Sequence, residues 1–279
     1  MSYEALRPEI LANEIMTERE RVSVFRNLCY KGPMIGEIQN MGDTLRIPCI
    51  GRPTVQSYTG ADITYEAKTA AEQLLYIDQA KYVAVSINKV DEKQAQMAII
   101  NKEIQEAKRA LAVTLDTFLA GLYTQAGNTV TDSACSSTSI LSTLTEVETA
   151  LYDNDVPVTE EINLVVTPAV YAKMKLAKIV FQQGNKEVFG KGYMGGYLNF
   201  NVHVTPSVSH TAGGVHYCMA FTRDAMALAE QIPASEIKII EPEANFGKKF
   251  KVLHLYGGKV IRPAEMVKVA VTLADEESI

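Results

Sequence analysis

The stretch that most constrains this chain is residues 91–122, DEKQAQMAIINKEIQEAKRALAVTLDTFLAGL. Apolar residues recur at Met97, Ile100, Ile104, Ala107, Leu111, Leu115, Phe118 and Leu122. Their steps match the turn of an α-helix. Lys93, Lys102, Glu103, Glu106, Lys108 and Arg109 stand between them, no proline interrupts the run, and Gly121 comes only at its end. Asn88 or Asp91 supplies an N-cap. At about 1.5 Å per residue, the rod is on the order of 45 Å long, and the rest of the chain must be hung on it. Ala95, Ala98, Ile99, Ala110, Ala112 and Val113 widen the apolar face beyond a coiled-coil seam. The expectation is a helix buried against sheet.

Composition narrows the class. With 279 residues, 47% hydrophobic and 22% charged, the chain buries one or two cores. A formal charge of -6 gives no bulk argument for nucleic-acid binding. The N-terminal MSYEALRPEILANE is mixed in character rather than a signal peptide, and no run approaches a membrane span. Cys29, Cys49, Cys135 and Cys218 are scattered without a CxxC pair. They read as buried thiols in a reducing, intracellular compartment.

The N-terminal region predicts a short helix over 8–19, then apolar contacts at Val22, Val24, Phe25 and Leu28, together an arm that docks elsewhere. Residues 42–49, GDTLRIPC, alternate as a strand, and 77–90 form a second, imperfectly alternating one. Between them, 50–72 is polar and too poor in apolar residues for its own core. The two strands are expected to pair as the base of a long ribbon whose tip lies on a neighbouring subunit, because an isolated hairpin is marginal in water.

Beyond the long helix, 124–139 reads as a polar loop and 140–152 as a helix ended by Pro157. The run 162–166, INLVV, reads as a central strand, with Thr167 capping a helix that Pro168 opens. Residues 182–196 read as a glycine-rich loop, 197–204 and 216–221 as strands, 223–230 as a short helix and 237–240 as a strand. Residues 250–255 and 260–262 flank Gly257 and Gly258 as a small hairpin. The last strand is 266–273, and the segments after Lys251 are expected to return to the long helix. The fold class is mixed α+β.

No constellation carries chemistry. His203, His210, His216 and His254 show no metal-site spacing and no HExxH. In 184–196, Gly184, Gly190, Lys191 and Gly192 have the wrong spacing for a phosphate loop. Without a GxSxG elbow, neither Ser86 nor Ser139 reads as a nucleophile. Glu160, Glu161, Glu241 and Glu243 read as solvated charges rather than a hydrolytic pair. Lys248, Lys249 and Lys251, beside Phe246 and Phe250 and with Arg262 further on, make only a short basic cluster. No catalytic, cofactor-binding or metal residue is assigned, and no cofactor is implied.

The order of elements resembles the major capsid protein of tailed bacteriophages, the Hong Kong 97-like shell fold. Two runs carry it locally: 192–207, GYMGGYLNFNVHVTPS, similar to the family's glycine-rich turn into a strand, and 220–229, AFTRDAMALA, similar to the strand and short helix that follow. The resemblance implies an N-terminal arm over 1–40, then a strand base and extended loop over 41–90, with the loop at about 50–76. It implies a spine helix of the peripheral domain over 91–124, an axial domain over 125–240, and returning peripheral strands with a tail over 241–279. It also implies a structural protein, not an enzyme, self-assembling as hexamers and pentamers into an icosahedral shell around double-stranded DNA. Implied partners are a separate scaffolding protein, a portal and weakly held DNA, with no membrane. Assembly would take place in the bacterial host cytoplasm, leaving the chain in the virion. Some relatives join subunits by a lysine–asparagine bond; Lys68 is present, without an assignable partner. An encapsulin-type compartment shell is the alternative within the same fold, and a hydrolase with an unrecognised carboxylate pair is the alternative from another class.

Overall fold

A computed structural model describes residues 23–31, 42–49, 55, 57, 71–88, 98–177, 193–197, 199–211, 214–231, 238–240 and 247–274. The chain begins there with a single helical turn, α1 (Phe25–Leu28). Strands β1 (Thr44–Cys49), β2 (Ala71–Tyr76) and β3 (Gln79–Asn88) follow, then the long helix α2 (Ala98–Gly121). Next come β4 (Asn128–Cys135), α3 (Ile140–Tyr152), β5 (Ile162–Val166) and α4 (Pro168–Leu176). Strands β6 (Tyr193–Tyr197), β7 (Phe200–Val204), β8 (Val215–Thr222), β9 (Met226–Gln231), β10 (Lys238–Ile240), β11 (Gly247–Val260) and β12 (Met266–Leu273) complete the order.

Three sheets result: a six-stranded one ordered β4-β12-β8-β5-β7-β6, a four-stranded one built on β11, and the two-stranded β1–β2 ribbon. The INLVV run is the centre of the largest sheet, and all five of its residues are buried. A run with four apolar residues out of five, all buried, fits a strand covered on both faces. Leu164 and Val166 face α3 and α4, meeting Leu144, Val147, Val170 and Met174. Val165 points the other way, into a cluster with Leu115 and Leu119 of α2. The expected cap is present: Thr167 Oγ1 accepts from Val170 N at 3.4 Å, with Pro168 in the first turn.

Helix α2 is buried against sheet, as its broad apolar face predicts. Leu111, Ala112, Leu115, Leu119 and Ala120 are all buried. Its described length of 24 residues corresponds to about 36 Å. The predicted first turns, before Ala98, lie outside the described residues, as does the predicted helix over 8–19.

Several expectations are corrected. The ribbon is formed by β1 with β2, in register from Thr44↔Tyr76 to Cys49↔Ala71; the strand after it, β3, pairs instead with β11 from Asn88↔Gly247 to Gln79↔Tyr256. The ribbon's inner face, Leu45, Ile47, Leu75 and Ile77, packs on Ala227, Ala229 and Leu255, so its base is well buried within its own chain. The polar stretch 124–139 contains β4, an edge strand parallel to β12 whose Thr and Ser side chains suit an open edge. The single strand expected over 197–204 is a tight antiparallel pair, β6 and β7, and β6 takes up the end of the supposed glycine loop. The helix expected over 223–230 is one turn of 3₁₀ helix followed by β9. Its apolar residues Ala227 and Ala229 face the ribbon, while Met226 and Leu228 join the α2 cluster. That two-faced burial overrides the helix propensity of alanine and leucine. The segments after Lys251 do return to α2, as expected: Tyr256 and Val260 of β11 and Met266 of β12 join Leu115 and Leu119, while β12 is also a strand of the six-stranded sheet, between β4 and β8.

The predicted Gly257–Gly258 hairpin is instead the interior of one 14-residue strand. A Cβ on Gly257 would stand 2.1 Å from the carbonyl oxygen of Tyr76, and one on Gly258 would meet side chains of Leu119 and Phe118 at 3.1 and 3.2 Å. The glycines mark where the ribbon and α2 cross the strand at close range.

Residues 23–31, the root of the expected arm, dock against α2 and β9. Phe25 and Cys29 are fully buried, and Tyr30 bridges β9, with its N–H donating to Met226 O at 2.8 Å and its carbonyl accepting from Leu228 N at 3.1 Å. The Ser23 hydroxyl donates to buried Asp116 of α2, as does the Val24 N–H at 3.0 Å. Burial raises the Asp116 carboxyl to about 6 against the opposing pull of those donors. A raised folded-state pKa gives stability that is present below the unfolded value and is lost as pH rises through about 6.

Two outcomes follow for stability. Gly257→Ala is expected to destabilise the subunit by roughly 3 kcal/mol, and Gly258→Ala by less, in paired denaturant titrations, since backbone cannot yield as side chains can. Asp116→Asn is expected to be more stable than the parent at pH 8 by about 2 kcal/mol, with the gain gone by about pH 4. A pH-independent difference in the melts would refute that account of Asp116.

Candidate assembly surface

The sequence-level candidates for chemistry disperse in three dimensions. His203 in β7 is buried, and desolvation pushes its imidazole down to about 4, so it is neutral near pH 7. His254 in β11 is fully buried, its Nε2 3.5 Å from Glu230 Oε2 of β9, and the other Glu230 oxygen pairs with Arg26 of α1. The buried Arg26–Glu230 pair, with His254 beside it, ties the arm root to the four-stranded sheet. His210 and His216 face each other across an isolated antiparallel bridge. Among the described residues, no group of three or more His, Cys, Asp or Glu could hold a metal ion. Cys29, Cys135 and Cys218 are buried free thiols. Burial pushes Cys135 and Cys218 up to about 12, the unreactive form.

The remaining candidates have local roles or fall elsewhere. Ser139 Oγ donates to Asp132 Oδ2 at 3.0 Å and accepts from Ser136 N at 3.0 Å, an organising contact at the entry to α3. Ser86 lies within β3, paired with Lys249 of β11. Glu160 is exposed, and Glu161 accepts from Asn201 Nδ2 at 3.4 Å. Lys248, Lys249 and Phe250 are part of β11, and Lys251 is exposed there; Arg262 donates to Glu265 at 2.9 Å. Lys68, Glu241, Glu243, Phe246 and 184–192 lie outside the described residues. A shallow groove along α3, lined by Ser142, Thr145, Glu146, Thr149 and Asp153, carries no nucleophile–base pair.

What the structure does assemble is a two-sided ribbon. Glu72, Leu74 and Tyr76 of β2 point outward beside Thr44 and Arg46 of β1, while Leu45, Ile47, Leu75 and Ile77 point inward. Leu74 is 36% exposed and Tyr76 57%, so large apolar groups occupy the solvent side as well. Arg46 Nη1 lies 3.3 Å from Glu72 Oε2 across the ribbon. The mount is firm: Gln73 Nε2 donates to Ile261 O at 2.9 Å, Lys259 Nζ to Leu74 O at 3.1 Å, and Gly42 N to Ile77 O at 2.7 Å. Tyr82 of β3 is 75% exposed. Sequence reasoning missed β2 as a ribbon strand. Its signal was the sudden apolar run LLYI, residues 74–77, in an otherwise polar stretch.

This architecture is shared with virus shells. A structure from Mycobacterium phage Che8 matches at TM-score 0.66 and 21% identity, covering 88% of this chain and 90% of that one. The capsid of Ralstonia phage GP4 matches at TM-score 0.67 and 12% identity, with 86% of each chain covered. The virus-like particle from Pyrococcus furiosus matches at TM-score 0.59 and 12% identity, covering 94% of this chain and 98% of that one. No curated protein sequence matches the chain. The family described as phage capsid protein, however, matches over residues 72–269, from the ribbon to the last strand. The chain therefore belongs to the phage capsid protein family, as a major capsid protein with the Hong Kong 97-like fold.

Proposed function

We propose that copies of this chain form the hexamers and pentamers of an icosahedral shell that encloses double-stranded DNA, and that the β1–β2 ribbon joins each copy to the next. The observation that carries this reading is the outward face of the ribbon. Leu74 and Tyr76 are exposed on the outer side of the ribbon, while Leu75 and Ile77 beside them are buried on its inner side. Exposed large apolar groups on a rigid mount suit a protein–protein contact. In this reading 1–40 is the arm, 91–124 the spine helix of a peripheral domain and 125–240 the axial domain, with β12 counted in the axial sheet. The shell acts mechanically rather than catalytically, and a separate scaffolding protein and a portal guide its assembly in the bacterial host cytoplasm. The formal charge of -6 suits weak, non-specific contact with packaged DNA. Match to the phage capsid family over most of the chain favours a genome container over a cargo compartment; the virus-like particle from Pyrococcus furiosus shares the fold.

Electron microscopy of the overexpressed chain, with and without a co-expressed scaffolding partner, tests the reading; capsomer rings or shells support it, and a lone monomer under both conditions overturns it. Deleting 54–70 is expected to leave a folded subunit, because the ribbon root carries its own packing, and to stop shell formation. Tyr76→Ser is expected to change subunit stability by no more than about 0.5 kcal/mol while sharply reducing the shell fraction in sedimentation. Normal shells from both variants would remove the ribbon from the assembly contact.

A further inference from the structure

The His210–His216 pair is left without a role by shell mechanics. Thr211 N donates to Val215 O at 3.0 Å, and Tyr217 N donates to Ser209 O at 2.9 Å. These two bonds flank the histidines, so the pair occupies a non-hydrogen-bonded position of an antiparallel ladder. That is where opposed side chains come closest, with Cα atoms about 4.5 Å apart. The turn beyond is pinned as well. Gly214, at φ +82, donates from its N–H to Thr211 O at 3.0 Å, and Val215 N donates to Thr211 Oγ1 at 3.3 Å. The two rings lie with centroids 5.9 Å apart and planes 27° from parallel.

The nitrogens are suitably disposed. His210 Nδ1 lies 3.4 Å from Val208 O, a contact that favours the tautomer with a free lone pair on Nε2. His216 Nδ1 is buried and has no hydrogen-bond partner among the described residues. Two imidazoles on one Zn²⁺-sized ion, at about 2.0–2.1 Å each, bring their ligating nitrogens to roughly 3.4 Å in tetrahedral geometry. Rings this close reach that separation by turning toward one another about their own side-chain bonds.

We propose that His210 and His216 form a two-nitrogen chelate for one divalent transition cation, such as Cu²⁺, Ni²⁺ or Zn²⁺, with water in the other positions. No third His, Cys, Asp or Glu joins them among the described residues. Imidazole selects these ions over Mg²⁺ and Ca²⁺, which prefer oxygen. The cation would clamp the neck of the 211–215 turn.

The test uses the full chain without a histidine tag, dialysed against Cu²⁺, Ni²⁺ or Zn²⁺ and assayed for bound metal, with electron paramagnetic resonance of the Cu²⁺ form. One ion per chain is expected, tightest for Cu²⁺, undisturbed by excess Mg²⁺, with the spectral signature of two imidazole nitrogens. His210→Gln and His216→Gln are each expected to weaken binding by about tenfold or more, while His203→Gln leaves it unchanged. Unaltered binding in both variants, or no saturable binding by the parent chain, overturns the proposal. Should a variant fail to fold, the parent's Cu²⁺ spectrum decides, and a spectrum lacking two imidazoles counts against the site.

Discussion

The structure depends on one seam, where Leu115 and Leu119 of α2 lie between the two larger sheets. On one side they meet Val165, Met219, Phe221 and Met266 of the six-stranded sheet; on the other they meet Leu228, Tyr256 and Val260 of the four-stranded sheet. Phe25 stacks on Phe221 at 6.4 Å, and Phe118 stands edge-on to Tyr256 at 5.3 Å. Side chains of this size contribute roughly 1.5–3 kcal/mol each on burial. The breadth of the helix's apolar face follows from this: a narrow stripe would satisfy one sheet only. Asp116 lies one residue after Leu115, on the same helix, where the arm root supplies hydroxyl and N–H donors to a carboxylate that the core would otherwise strand.

The sequence reading succeeded where a single period dominates. The long helix, the helix over 140–152, the INLVV strand and the Thr167–Pro168 entry each show one unambiguous signal, and each is present. It failed where an element serves two neighbours. Residues 226–231 look helical because small and apolar residues come in succession, yet that succession feeds two different clusters on opposite faces of a strand. The two glycines in β11 look like a turn, since nothing local reveals that Tyr76 will cross them. Asn128 to Cys135 reads as loop because an edge strand with one open side needs few apolar residues. Pairing partners were the least legible feature: β3 and β2 both qualify as partners for β1 by local pattern, and only the burial of Leu75 and Ile77 against β9 and β11 selects β2.

The two-sidedness of the ribbon was not legible. Leu74 and Tyr76 become conspicuous only once Leu75 and Ile77 are seen to be buried, because an apolar run gives no indication of which half faces water. The arm root was legible as an apolar cluster at Val24, Phe25 and Leu28, but not as a strand-like bridge to β9 or as a source of the buried Arg26–Glu230–His254 chain. The Arg26–Glu230 pair within it is costly to break from one side, since either partner alone would leave a charge in the core. It holds the arm root to the sheet that also carries the ribbon.

That shared attachment links folding to assembly. In a strand the side-chain period is two, so a slip of one residue would exchange Leu75 and Ile77 for Leu74 and Tyr76. The register of β1 on β2 is therefore also the choice of which apolar groups serve the subunit and which are offered outward. Gly257 fixes it by admitting the Tyr76 carbonyl at a distance no side chain permits, and Lys259 and Gln73 fix it by bonding Leu74 O and Ile261 O. In the proposed ribbon contact, a root ordered beforehand loses little conformational freedom, which lowers the cost of each joint. The proposed mechanical role thus rests on a local feature: a strand held so closely from within that its outer face is already in place.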